Sequence, residues 1–286
     1  MDNTTQTLKE RMEALRREYD YTLPKRSYTM IFCDGRSFSK LIKNKFEKPF
    51  DNWFINAMNQ TAKYICENVQ GAKFAYVQSD EISVVLTDFD NEETEAFYGN
   101  RLCKLQSIIA ALATCKFNQL LTAKMIQDNM YDNKLMDDED TIYRPSDCVN
   151  AVMNMQLIQF DCKAWNLPTF NDVYAWFLYR QTDCIRNSKQ QTAQTYLPHK
   201  MLNGIDTDKQ IALLKEVKDI DWNTFSDDKK YGRFVERREV EATVFNNYTK
   251  QDINVVRKEW IPSPAYLLKD NRDRFVDTSN IPIKDE

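Results

Sequence analysis

The sequence has a single histidine, His199, among its 286 residues. Zinc centres and histidine-based catalytic triads, which need imidazole as ligand or base, are therefore close to excluded. The seven cysteines, Cys33, Cys66, Cys103, Cys115, Cys148, Cys162 and Cys184, contain no C-x-x-C pair. Their odd number leaves at least one unpaired, and they read as reduced core residues of a cytoplasmic protein. No apolar run is long enough to cross a bilayer. The opening stretch from Met1 to Asp20 sets Leu8, Met12 and Leu15 among Lys9, Glu10, Arg11 and Glu13, which is the pattern of an amphipathic helix and not of a signal sequence. Charge of neither sign dominates. With 39 basic and 43 acidic side chains the net charge is −4, so any nucleic-acid partner has to be met by a local patch. Internal repeats and low-complexity segments are absent as well. The ligands left for a metal are Asp and Glu oxygens, which suit magnesium.

The hydrophobic content of 42% is enough to bury a full core, in one large domain or in one domain with an appendage. Tyr28 to Cys33 is a β-rich apolar run that meets a turn signal at Asp34-Gly35-Arg36, which predicts a strand ending there. Beyond Lys48-Pro49, the spacing of Phe50, Trp53, Phe54, Ala57, Met58, Thr61, Ala62, Ile65 and Val69 is helical, with Gly71 as its stop. Ala72–Val77 and Ile82–Leu86 read as strands joined in a hairpin by Gln78-Ser79-Asp80-Glu81. A helix is predicted from about Glu95 to Gln119, a strand within Met155 to Trp165, and a third helix from about Asn171 to Tyr196. The acidic stretches Asp88–Glu95 and Asp137–Asp140 read as loops. Past Pro198 the pattern weakens: Asp206–Val217 has helical spacing, and the rest reads as an extension lying over the core.

The order β-α-β-β-α-β is that of a split βαβ, ferredoxin-like unit, an α+β fold. In this topology strands one and three are antiparallel neighbours, so Asp34 and Asp80 are expected at the same edge of the sheet. The domain organisation that follows is a catalytic unit over residues 1–200, with the N-terminal helix, and a C-terminal extension over residues 201–286 packed on it.

Two carboxylates held close repel each other, and the usual accommodation is a shared proton or a bound cation. Two magnesium ions fit the second case, because phosphoryl transfer needs charge neutralised and an attacking oxygen held in line. The Gly35 carbonyl is a further candidate ligand, since the absence of a side chain permits close approach. Ordinary turn residues remain the competing reading for these positions, and a solvated helix face for Arg101 and Lys104. His199 reads as a surface residue. Lys229, Lys230, Arg233, Arg237 and Arg238, interleaved with Tyr231 and Phe234, form the best local basic cluster. They are candidates to hold RNA phosphates, although Glu236 and Glu239 interrupt them.

Several segments are similar to the successive motifs of the tRNA-His guanylyltransferase superfamily. They are Asp34-Gly35-Arg36-Ser37-Phe38, Phe46-Glu47-Lys48-Pro49-Phe50-Asp51 and Tyr76-Val77-Gln78-Ser79-Asp80-Glu81-Ile82-Ser83. Arg101-Leu102-Cys103-Lys104-Leu105 resembles that family's triphosphate-binding helix, and Phe160-Asp161-Cys162-Lys163-Ala164 its F-D-x-R element. Tyr179 to Ser188 resembles its W-R-Q-x-D-x-x-R-N-S segment, and Arg257–Trp260 with Lys269–Asp273 its closing segment. The resemblance implies a polymerase-type palm working in the 3′–5′ direction, in which a nucleotide's 3′-hydroxyl attacks an activated 5′ end of tRNA. It implies Asp34, Gly35 and Asp80 as ligands of two Mg2+ ions, with Glu81 as an acidic neighbour in catalysis. Arg36, Ser37, Phe38, Ser79, Arg101 and Lys104 would surround the nucleotide. Lys48, Asp161, Arg180, Asp183, Arg186, Asn187 and Lys200 would serve RNA binding or activation. ATP or GTP is the implied nucleotide, and a homotetramer the implied assembly.

Ile185 stands where the eukaryotic guanylyltransferases carry histidine. The Arg186-Asn187-Ser188 version resembles the bacterial and archaeal guanylyltransferase-like branch, which implies template-directed repair of tRNA 5′ ends in place of addition of a single G. Lys163 replaces the arginine of F-D-x-R, and a lysine cannot supply the same bidentate contact. A nucleotide cyclase on the same palm, or an RNA-binding module without activity, are the alternatives.

Overall fold

The structure, a computed structural model, describes residues 6–36, 38, 46–135 and 145–284. In chain order the helices are α1 (Leu8–Arg17), α2 (Asn52–Asn68), α3 (Leu102–Leu135), α4 (Pro145–Met153), α5 (Phe170–Tyr196), α6 (His199–Leu202), α7 (Thr207–Lys218), α8 (Asp227–Lys230) and α9 (Arg272–Thr278). The strands are β1 (Tyr28–Arg36), β2 (Ala72–Gln78), β3 (Glu81–Leu86), β4 (Gln159–Leu167), β5 (Arg233–Asn246) and β6 (Gln251–Pro264). They form one sheet in the order β4-β1-β3-β2-β5-β6, antiparallel throughout. Its first four strands have the arrangement of the split βαβ unit, and the whole is an α+β palm-type fold.

Residues along each strand alternate between two cores. Ile31, Cys33, Val77, Ile82 and Val84 meet Phe54, Met58, Leu105, Ile109 and Phe117 of α2 and α3 on one face. Met30, Phe74, Tyr76 and Val85 meet Val173 and Phe177 of α5 and Phe275 of α9 on the other. The helix starts are set locally. Asp51 caps α2 by accepting from the Phe54 amide at 2.7 Å, and Thr169 and Asp172 form a capping box on α5.

Several boundaries differ from the sequence-based expectation, among them the end of α3, which runs on to Leu135 past the expected stop near Gln119. β1 continues through Asp34-Gly35-Arg36, because β3 and β4 flank it and pair with Asp34 from both sides; two ladders outweigh the local turn preference. α3 begins only at Leu102, because Tyr98 and Gly99 adopt left-handed φ just before it. Of the C-terminal residues expected to lie over the core, those after β6 do so, with Leu268, Phe275 and Ile281 buried in it, whereas the residues before them form two strands of 14 residues each. Through the pairing of β5 with β2, these strands extend the same sheet across position 200. β6 is exposed over most of its length, but the distal half of β5 does carry the strand period, with half-buried Val240, Ala242 and Val244 alternating with exposed Glu241, Thr243 and Phe245. The acidic stretch Asp137–Asp140 lies outside the described residues.

Phe117 is fully buried, with the rings of Phe38, Trp53, Phe54 and Phe160 between 5.1 and 6.2 Å from its own. Replacement by Ala leaves a cavity that these rings cannot fill together. Phe117→Ala is expected to lower the unfolding free energy by about 3–5 kcal/mol in a urea titration; a loss under about 1 kcal/mol would show that this cluster is not the tight core described.

Candidate active site

The β-ladder registers build the site. Asp34 of β1 lies opposite Glu81 of β3 on one side and Asp161 of β4 on the other. Alternation puts all three on the α5 face, where Trp176 of α5 packs against Phe32 and Trp165 and donates to the Ser83 hydroxyl at 3.1 Å. Asp80 joins this row through the β2–β3 turn. Ser79, the first turn residue, has φ +43°, the left-handed conformation that tight hairpin turns demand at that position. The Gly35 amide donates to the Asp80 carbonyl at 3.1 Å and ties the turn to β1. A side chain at Gly35 has no room: its Cβ would lie 2.2 Å from the Phe38 ring and 3.0 Å from the Asp80 Cβ.

The electrostatics follow from this crowding. Burial, then the Asp34 and Glu81 charges, push the Asp80 carboxyl up to about 6, against the opposing hydrogen bonds of the Ser79 hydroxyl and its own amide. Burial, then Glu81 and Asp161, also raise Asp34, while Lys163 and the Gly35 amide oppose the rise. Glu81 has partners of its own: Gln78 Nε2 donates to it at 2.6 Å, and Arg180 forms an ion pair with it. Among the described residues no closed cage of three or more acidic, cysteine or histidine ligands stands ready for a metal. Magnesium needs no such cage, because it is commonly held by one or two carboxylates together with water and substrate phosphates. The donor set of Asp34, Asp80 and the Gly35 carbonyl, short of positive charge, fits that pattern. A cavity of about 160 Å³ opens beside Asp80, with Phe50, Asp51, Ser79, Asn187 and Arg233 in its walls.

The other residues singled out from sequence divide into those near this row and those away from it. Asp161 is in the row; Arg180 and Asp183 lie beneath it and are linked at 3.2 Å, and Arg186 pairs with Asp183. Arg36 is exposed at the end of β1 and bonds Gln159. Lys48 and Lys200 are exposed, as is His199. Ser37 lies outside the described residues. Phe38, expected beside the nucleotide, is 1% exposed among Phe54, Phe117 and Phe160; it is a core residue that buttresses Gly35. Arg101 and Lys104 are not brought to the carboxylates within one chain. The start of α3 lies by the start of β1, where the Leu102 amide donates to the Tyr21 carbonyl and Asn100 to that of Pro24. It is Asn118, far along the helix, that bonds Ile158 near the Gly35 end, so roughly 20 Å of helix separates Lys104 from the site.

The basic cluster of residues 229–238 is dispersed. Arg233 is buried and bonded to Asn59, Lys230 is buried against Trp222 and Tyr231, and Arg238 pairs with Glu236. Sequence reasoning also missed the pairing of Arg180 with Glu81. The signal was present, because Arg180 sits on the buried stripe of α5 between Phe177 and Cys184, where a charge needs a partner.

Comparison with known proteins places this geometry. The sequence model of the family described as tRNAHis guanylyltransferase (Thg1) matches residues 9–168, more than half of the chain. The structure of a bacterial tRNA(His) guanylyltransferase (Thg1)-like protein in complex with ATP superposes with a TM-score of 0.73 at 27% identity, over 94% of this chain and 96% of that one. The same kind of protein in complex with GTP gives a TM-score of 0.68 at 26% identity, over 93% and 96%. tRNA(His) guanylyltransferase 1 of Arabidopsis thaliana is 23% identical over 80% of this chain. The chain spans 37% of the length of that plant relative.

The position of Asp80 makes stability depend on pH with a definite sign. Its folded-state value of about 6 exceeds the ordinary 3.8, so the folded protein binds the extra proton between those values, and ionising Asp80 costs stability as pH rises through that window. Asp80→Asn removes the cost. Wild type and Asp80→Asn are expected to be closest in stability near pH 4. Above pH 6 the variant should gain on wild type by on the order of 2 kcal/mol, measured in metal-free buffer by urea titration. A difference independent of pH would contradict the electrostatics described.

Proposed function

The chain belongs to the tRNAHis guanylyltransferase family, and from that footing we propose that it is a nucleotidyltransferase that extends the 5′ end of tRNA in the 3′–5′ direction. The observation that carries this reading is the convergence of Asp34 and Asp80 at one sheet edge, joined by the Gly35 bond and short of positive charge. Asp34, Asp80 and the Gly35 carbonyl would hold two magnesium ions. Bound there, the metal supplies charge neutralisation for the phosphates and alignment of the attacking oxygen. The protein's part is positional. The sheet fixes Asp34 on a strand, the Ser79–Asp80 turn, tied to β1 by the Gly35 amide, holds Asp80 beside it, and the cavity beside Asp80 receives ATP or GTP against the ring of Phe50.

Arg101 and Lys104 keep a role at the triphosphate only across a subunit boundary, because α3 carries them away from their own chain's carboxylates. The homotetramer implied by the resemblance gives them a neighbour's site to serve. Mixing and reassociating Asp80→Ala chains with Lys104→Ala chains is then expected to restore part of the activity that each variant lacks alone. Activity that stays at the level of the variants, with mixed assemblies demonstrated, would return the pair to a solvated helix face.

The finer proposal is template-directed repair. It is supported by Ile185 and the Arg186-Asn187-Ser188 version of the α5 segment; Ile185 packs partly buried against the small core of α5 and α7 and offers no acid or base. A templated enzyme selects the incoming base by pairing, so discrimination comes from the duplex and one protein site accepts all four nucleotides. Single nucleotides would be offered to four tRNAs, each lacking its first nucleotide and differing only at the opposing base. Insertion of the complementary base in each case is expected. Insertion of G whatever the opposing base would replace repair with single-G addition, and a cyclic nucleotide as the only product would replace both with a cyclase.

A further inference from the structure

A connected set of polar side chains near the site runs from the sheet to the surface of α5. Arg180 is 7% exposed, with its guanidinium 5.5 Å from the Phe32 ring and 5.1 Å from that of Tyr179. One terminal nitrogen, Nη2, serves two carboxylates: it pairs with Glu81 and lies 3.2 Å from Asp183. Glu81 Oε2 also accepts from Gln78 Nε2. Asp183 in turn pairs through its other oxygen with Arg186, whose side chain is 62% exposed. Arg180 Nε is buried without a partner.

This placement separates two arginines that the sequence groups together. Arg186 stands where a phosphate can reach it. Arg180 lies under two aromatic rings, and its contacts are protein carboxylates. A buried guanidinium with two acidic partners is costly to break, because removing it leaves the carboxylates without their cation. The carboxylate it holds most directly belongs to the residue next to Asp80.

We propose that Arg180 is a positioning residue that acts through Glu81. With Gln78 it draws the Glu81 carboxylate aside, so that Asp34 and Asp80 are left as the pair open to a cation, and it makes no contact with RNA. Cation–π contact with Phe32 and Tyr179 and the sharing of one cation between two carboxylates favour arginine; lysine keeps the charge but not the planar fork. The proposal uses the nucleotidyltransferase reading only for its turnover readout. Its binding and unfolding readouts stand apart from it.

The experiment compares wild type with Arg180→Met, Arg180→Lys, Glu81→Gln and the double variant Arg180→Met/Glu81→Gln. Turnover on a tRNA lacking its first nucleotide, tRNA affinity by fluorescence anisotropy and urea unfolding are measured on each. Arg180→Met is expected to reduce kcat by roughly tenfold or more while the tRNA Kd stays within about twofold, and Arg180→Lys should recover part of the loss. In the Glu81→Gln background the Arg180 substitution should add little to either turnover or unfolding, since two members of one interaction are not additive. A tRNA Kd weakened roughly tenfold with kcat intact, or losses that multiply in the double variant, would overturn the proposal in favour of an RNA contact. Should Arg180→Met fail to fold, the cycle of Arg180→Lys with Glu81→Gln is read by the same criteria. A wild type without transfer activity would defeat the functional reading alone and leave Arg180 to be decided by tRNA affinity and the unfolding cycle.

Discussion

Like charge held at close quarters is the constraint on which the rest of the structure depends. Pairing β1 between β3 and β4 places Asp34 between Glu81 and Asp161, and the Gly35 amide draws Asp80 in beside them. In free peptides such groups would move apart; here the ladders fix their backbone positions side by side, with Asp34 and Glu81 half-buried and Asp161 exposed. The molecule meets the repulsion in two ways. Lys163 and Arg180 offset part of it from the strand and from the helix beneath, and burial together with the remainder keeps the Asp34 and Asp80 carboxyls above their ordinary values. That remainder is what a divalent cation relieves.

The surrounding fold serves to keep this arrangement from relaxing. Phe38 fills the space where a Gly35 side chain would project and is itself wedged among Phe54, Phe117 and Phe160. A substitution at Gly35 would therefore move either that aromatic cluster or the Asp80 turn. On the opposite face, Trp176 and Phe177 of α5 press on β1 and β2 and set the depth at which Arg180 meets Glu81. Carboxylates on rigid strands, supported by packed rings, hold their geometry more closely than loops do.

Much of this was legible in the sequence because its determinants are local. Strand and helix periods, the hairpin at Ser79-Asp80 and the β-α-β-β-α-β order are short-range patterns, and the order alone predicts that the first and third strands meet. What failed depended on long-range partners. β6 is exposed over most of its length, and the alternation of Val240, Ala242 and Val244 in β5 is short, so the pairing with β2 and with each other is what makes both strands plain. The residues of the basic cluster gave no local sign that Asn59, Trp222 and Glu236 would occupy three of them. Phe38 follows Asp34 and Gly35 closely enough to be read as part of their motif, yet it turns into the core. Arg101 and Lys104 do not share a helical face, because Arg101 is extended and bridges Thr22 just before α3 begins, and the length of α3 sets both away from the carboxylates. A charge on a buried stripe, as at Arg180, was the one long-range feature with a local signature.

The central claim is that Asp34 and Asp80 together hold divalent metal beside a bound nucleotide. Crystals grown with MnCl2 and a non-hydrolysable GTP analogue, with diffraction data collected at an energy where manganese scatters anomalously, test it most directly. The account predicts two anomalous peaks within coordination distance of Asp34 and Asp80, both absent from crystals of Asp80→Ala prepared in the same way. Nucleotide bound in the cavity with no manganese at these two carboxylates, or manganese coordinated elsewhere, would contradict it.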